Sequence, residues 1–289
     1  MSIDQGHASR GTFGRRAMLA ATGVATIGAL STSSVPQAAA QTVTDADILN
    51  FALNLEYLEA EFYLRAAFGR GLAAGDITGT GAPGAVSGGR KVNFRTRAIR
   101  EYAREIADDE ENHVQFLRSA LGAGAVARPT INLNVAFTAA ARAAGLVGAG
   151  ERFDAFANER NFLLGAFLFE DVGVTAYKGA APLIADKVVL EAAAGLLAVE
   201  AYHAGEIRTV LNGLGLAPAA RAISAARDAL DGTGNKDQGI RRDGVANIVP
   251  TDGDGLAFSR STGEVLRIVY LGGSGAGGFF PHGVNGLIS

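Results

Sequence analysis

The chain of 289 residues has no cysteine and no tryptophan, and only two methionines and seven prolines. Without a thiol there is no disulfide, no cysteine nucleophile, no iron–sulfur cluster, no zinc–thiolate site and no cysteine for a lipid anchor. Basic charge is scarce as well. Lys and Arg total 26 against 29 Asp and Glu, the net charge is −3, and aromatic residues make up 7%. That balance offers neither a positive field nor a stacking platform, so no nucleic-acid partner is expected. Apolar residues (48%) and glycine (39 residues) are plentiful, and the mean hydropathy is +0.18. This is the composition of a soluble globular chain, with room for one full core and an appendage.

The first forty residues read as an address. Arg15 and Arg16 precede a weakly apolar run, Ala17 to Leu30, and Ala38, Ala39 and Ala40 form a small-residue cleavage site. This is the pattern of a twin-arginine export signal over residues 1–40, and a periplasmic or secreted protein is the expectation. The run is shorter than the roughly 20 residues that span a bilayer, so no stable membrane anchor is expected.

Beyond it, a 3.6-residue apolar period predicts four long helices, bounded by Gly and Pro. They run from about Asp45 to Phe68 with Thr44 as N-cap, Phe94 to Leu121, Asn158 to Lys178, and Asp186 to Asn212. The connections read as short, long, short, which is how two antiparallel helix pairs make a bundle with one crossover. A short helix is expected within the crossover near Phe137 to Ala143, and another at Ala217 to Leu230. The predicted bundle covers residues 41–230. Residues 231–289 are a Gly-rich extension that covers it, with a capping-box spacing at Ser261 and Glu264.

Each long helix has one anomaly on its apolar stripe. The first stripe, Leu49, Ala52, Glu56, Ala60, Tyr63 and Ala67, carries Glu56. In "REYAREIADDEENHVQFLRSALG" the face through Ile99, Tyr102, Ile106, Phe116 and Leu117 carries Glu110 and His113. The third stripe carries Glu170, and the fourth carries Glu200 and His203. An isolated buried carboxylate costs several kcal/mol, and four that converge repel one another besides. No Lys or Arg lies on these stripes to balance them. Two divalent cations would, with two neutral imidazoles completing the coordination, and Glu/His ligands suit iron or manganese. The expected site is therefore Glu56, Glu110, His113, Glu170, Glu200 and His203 around two metal ions, Fe or Mn.

The order Glu56, Glu110-x-x-His113, Glu170, Glu200-x-x-His203 resembles the ferritin-like di-iron carboxylate superfamily. The stretches "LEYLEAEFY", "NFLLGAFLFEDVGVTAYKGAAPLI" and "GGFFPHGVNG" are similar to exported ferritin-like domain proteins that include desiccation-related proteins. The resemblance implies an all-α, ferritin-like four-helix bundle with one long crossover. It implies Glu56 and Glu170 as terminal ligands, Glu110 and Glu200 as bridges, and one imidazole on each metal. Tyr63 resembles the tyrosine beside such sites, whereas Glu59 and Glu206, one turn from ligands, are read as surface charges. The implied chemistry is oxidoreduction with dioxygen or peroxide, as a ferroxidase or a peroxide-detoxifying enzyme. The alternative is a non-enzymatic desiccation or stress-protection protein whose metal site is structural. A homo-oligomer is compatible with either. A storage cage fits poorly with the Gly-rich loops and long tail, and the absence of Cys excludes a rubrerythrin-type electron relay.

Other motifs carry less. Gly79, Gly81, Gly84 and Gly273, Gly275, Gly278 each satisfy G-x-G-x-x-G, but neither opens a helix in a strand–helix–strand unit. "DGDG" at 252–255 lacks the acidic residue at position twelve of a calcium loop, where Gly263 stands. His282 reads as a loop residue.

Overall fold

The computed structural model describes residues 42–289; the export leader expected over residues 1–40 lies outside them. The chain is all-α, with four long helices as its frame. Helix α1, Asp45–Phe68, starts from a capping box in which Thr44 Oγ1 accepts from Asp47 N–H while the Asp47 carboxylate accepts from Thr44 N–H at 2.9 Å. It stops at Gly69, whose φ of 79° is a left-handed conformation that glycine adopts without a steric penalty. Helix α2 is Arg97–Leu121, and α3, Val135–Ala143, lies in the crossover. Helices α4, Glu159–Ala180, and α5, Lys187–Gly213, are capped by Asn158 and Asp186, whose side chains accept from the first free N–H groups.

Helix α1 packs on α2 and α4 on α5, with α1 also meeting α4. The two pairs start in step. Glu159 at the start of α4 accepts from the N–H of Arg95 and Thr96, at 2.8 and 2.9 Å, just before α2. The connection from α1 to α2, residues 69–96, is not short as expected. It runs beside the crossover, pairing β1, Val86–Ser87, in parallel with β2, Ile131–Asn132.

The exposures divide the helices into two kinds. Helices α2 and α5 have a solvent face, whereas α1 and α4 are buried nearly all round. Phe116, placed on the inner stripe of α2 by the sequence, is 46% exposed; the inner stripe continues instead through Val114 and Leu117.

The all-round burial of α1 and α4 is the work of the C-terminal third of the chain. Helix α6, Ala217–Asp231, a small hairpin of β3, Arg241–Arg242, with β4, Val245–Ala246, and α7, Thr262–Val269, form the cover. Helix α7 begins with the expected capping box of Ser261 and Glu264 and packs on α4 and α6. Three buried guanidinium groups fasten this cover. Arg208 and Arg227 donate to Asp171 at 2.7 and 2.8 Å, Arg227 also reaches Asp237 at 2.7 Å, and Arg260 reaches Asp231 and Asp237 at 2.7 and 3.0 Å. Three positive and three negative charges are thereby paired without solvent, as buried ions require. At the far end Asn285 exchanges hydrogen bonds with Asn54 of α1 and holds Ala82 and Ala127 of the two long connections.

Candidate metal centre

The four long helices each deliver their anomalous residues to one place. Glu56 on α1, Glu110 and His113 on α2, Glu170 on α4, and Glu200 and His203 on α5 are all buried. Potential ligand atoms fall into two groups, each within 4.8 Å: Glu56, Glu110, His113 and Glu200 in one, Glu110, Glu170 and His203 in the other. The two imidazole centroids are 6.3 Å apart.

Glu110 belongs to both groups, and its two oxygens divide between them. Oε1 lies 3.2 Å from His203 Nδ1 and Oε2 lies 3.6 Å from His113 Nδ1. That is the disposition of a carboxylate bridging two metals. Glu200 falls in the first group only, with Oε1 3.8 Å from His113 Nδ1. Glu56 and Glu170 each face one imidazole, at 3.3 and 3.6 Å. Both histidines thus turn Nδ1 inward. His203 points Nε2 outward to Asp109, at 3.1 Å, a partner that fixes ring orientation.

Each terminal carboxylate is also held by a tyrosine from the opposite pair. The Tyr63 hydroxyl of α1 donates to Glu170 Oε1 on α4, and the Tyr177 hydroxyl of α4 donates to Glu56 Oε1 on α1. Each glutamate keeps its other oxygen for the site. Tyr63 is expected beside the metals from the sequence; Tyr177 is not. The signal is there all the same, because Tyr63 follows Glu56 by seven residues and Tyr177 follows Glu170 by the same interval. The sequence reading also misses Asp109, Gly173 and Glu59. A Cβ on Gly173 would collide with Glu200 Oε2, so glycine there leaves space for the ligand.

Glu59 corrects an expectation. It is buried rather than a surface charge, because the face of α1 that carries it lies under the C-terminal cover. Glu206 is half-buried, its carboxyl pushed up by burial and by the charge of Glu105.

The donor set fits a metal pair, and the observation that says so is the state of its polar atoms. Both oxygens of Glu110 and of Glu200, Glu170 Oε2 and His203 Nδ1 are buried without a hydrogen-bond partner. Native proteins rarely leave such atoms orphaned unless an ion completes them. The electrostatics agree. Burial pushes Glu56 up to about 7 against the pull of His113, and Glu170 up to about 8 against that of His203. Burial and the charge of Glu59 raise Glu200 well above the carboxylate range. Burial acts against ionisation of Glu110 too, but both imidazoles outweigh it and hold its carboxyl below that range. Burial lowers the imidazoles, yet the surrounding carboxylates bring His113 to about 11 and His203 to about 10. Without metal, then, protons stand in for the cations.

A sequence model of the ferritin-like domain matches residues 44–213, the span of all six residues. The chain belongs to the ferritin-like domain family. This ferritin-like chain is 29% identical over 273 residues to ferritin-like catalase Nec2 of Nesocodon mauritianus, covering 85% of each chain. It is 32% identical over 243 residues to desiccation-related protein PCC13-62 of Craterostigma plantagineum, covering 77% of this chain and 76% of the relative. No solved structure matches. Both similarities extend well beyond residues 44–213, so the regions around the ferritin-like bundle are shared with these relatives as well.

Proposed function

We propose that the ferritin-like chain is an exported oxidoreductase that holds two iron or manganese ions and acts on peroxide, with dioxygen as the alternative oxidant. The observation that supports this most directly is the set of buried, unpartnered carboxylate and imidazole atoms around Glu110. Glu56, Glu110, His113 and Glu200 would hold one ion, and Glu110, Glu170 and His203 the other. Bound there, a redox-active pair supplies two electrons and takes them back at neighbouring positions, which is what peroxide disproportionation needs. Tyr63 and Tyr177 confine Glu170 and Glu56 to one free oxygen each, and burial excludes bulk water from the pair. Nec2, a relative named a catalase, favours peroxide over ferrous iron as the substrate. In that reaction one hydrogen peroxide is reduced to two waters and a second is oxidised to dioxygen.

The test loads the mature chain anaerobically with iron or manganese and measures metal content and oxygen release from peroxide. About two ions per chain are expected from the ligand set, with turnover, and both are lost in Glu110→Ala. A chain that takes up neither metal overturns the proposal. A chain that binds metal, is stabilised by it and is inert toward peroxide and ferrous iron supports the other reading, a stress-protection protein, which the similarity to PCC13-62 favours. Export is part of the proposal. Replacing Arg15 and Arg16 together by Lys is expected to retain the chain in the cytoplasm, as read by cell fractionation.

A further inference from the structure

A narrow cleft with about 350 Å³ of free space lies between α1 and α4, roofed by α7 and Phe279 of the C-terminal extension. Its walls include Leu55, Leu168, Phe169 and Val172, and Glu59 is the one polar side chain among the residues lining it. No residue of α2 or α5, which carry the histidines, lines it. Its inner end is the candidate centre itself. Gly173 lines the cleft and is also where a Cβ would run into Glu200. Glu59 is 6% exposed, whereas Glu56, Glu110, Glu170 and Glu200 are at 1% or less, so of the five carboxylates it is the one the cleft still opens upon.

Glu59 has no role in the ligand groups, and burying a fifth carboxylate beside four others costs free energy that packing alone does not explain. The site therefore asks for a ligand that suits a lone hydrogen-bond acceptor in apolar walls. An anion would be repelled by the carboxylates. A metal ion would find one carboxylate and no further ligand atom among the lining residues. Dioxygen would fit the walls but has no proton for Glu59. A small uncharged hydroperoxide suits all three features: it is compact, it enters an apolar cleft without losing a charge, and its O–H donates to the carboxylate.

We propose that this cleft is the docking site for a small neutral hydroperoxide, with Glu59 as its hydrogen-bond anchor and the C-terminal extension as its roof. The proposal rests on the peroxide-directed reading above and specifies where the substrate sits. It also gives the extension a part in the site rather than a purely protective one.

The test compares full-length mature protein, loaded with manganese or iron, as wild type, Glu59→Gln, Glu59→Leu and Val172→Phe. Metal content is expected to stay the same in all four, since none of these side chains belongs to the ligand groups. Glu59→Leu is expected to raise KM for hydrogen peroxide about tenfold or more, the effect of losing one hydrogen bond to a charged group. Glu59→Gln, which keeps an acceptor, is expected to stay within about threefold. Val172→Phe fills the cleft and is expected to raise KM for tert-butyl hydroperoxide more than for hydrogen peroxide. A second readout needs no turnover: xenon-pressurised crystals of the metal-free wild type are expected to hold xenon between Leu55, Phe169 and Phe279, and those of Val172→Phe to hold none. Unchanged KM in both Glu59→Leu and Val172→Phe overturns the docking site while leaving the peroxide reading intact. Absence of xenon from the wild type overturns the cleft as a binding space. A loaded wild type that holds xenon but does not consume peroxide overturns the functional reading, and the hydroperoxide assignment with it.

Discussion

At the scale of single residues the centre is a set of six ligands plus the groups that aim them. The reciprocal tyrosines are the clearest of these: Tyr63 and Tyr177 cross the bundle so that each helix of the α1/α4 pair orients the other's glutamate. Removing one hydroxyl should free one terminal carboxylate without touching the other. In Tyr177→Phe the ion facing Glu56 is expected to bind about 10–100-fold more weakly, the usual cost of losing a partner of a ligand. The ion facing Glu170 should be nearly unaffected, and Tyr63→Phe should give the converse. Anaerobic metal titration would then resolve one tight and one weak site in each variant, and equal weakening of both sites would contradict the assignment. The six ligands are legible in the sequence because a charged residue on an apolar helical stripe stands out against its neighbours. The partners are less so. Which tyrosine reaches which glutamate depends on how two helices distant in sequence are set side by side, and Asp109, adjacent to Glu110, looks like any acidic residue on an exposed turn.

At the scale of elements, the sequence marks helix ends well and helix faces unevenly. Thr44, Asn158, Asp186 and Ser261 are capping residues whose chemistry is local, so each can be read from its immediate neighbours. Faces depend on what packs against them. Helix α2 has a single partnered face and a strong amphipathic pattern, although Phe116 falls outside it. Helices α1 and α4 are covered on every side, so period alone cannot rank their faces, and Glu59 reads as a surface group for that reason. The close approach of α4 to α5 belongs to this scale too. Gly173 costs α4 about 1 kcal/mol of helix propensity relative to alanine, yet it is what lets Glu200 occupy the interface. Gly173→Ala is therefore expected to raise helix propensity and nonetheless lower both thermal stability and metal content, because the added methyl displaces Glu200. Metal analysis beside a melting curve checks it. A variant that is more stable and still holds about two ions would show that the contact is not tight.

For the whole molecule, the buried arginine network and the metal centre meet on α4, where Asp171 follows Glu170 directly. The cover and the centre therefore share a helix, and charge balance in one is set by neighbouring guanidinium groups while in the other it is left to metal or protons. This difference fixes how the protein should respond to pH. In the metal-free chain Glu56 and Glu170 titrate at about 7 and about 8 instead of 4.5, and His203 and His113 at about 10 and about 11 instead of 6.5. A group whose value is raised by folding gives its full stabilisation below the unfolded value and loses it as pH rises through the folded one. The two glutamates therefore withdraw stability from about pH 4.5 to 8, and the histidines from about 6.5 to 11. Glu110 works in the opposite sense, but its contribution is already complete above the unfolded value of 4.5. The melting temperature of the metal-free protein is thus expected to fall steadily from pH 5 to 9. Loading with iron or manganese should flatten the curve, because cations replace the protons the site would otherwise need, and uptake should release protons and weaken as the pH is lowered. Melting curves of metal-free and loaded protein across that range decide the point: a metal-free protein that gains stability toward pH 9 would mean that the carboxylates around Glu110 are not held together against their own charge.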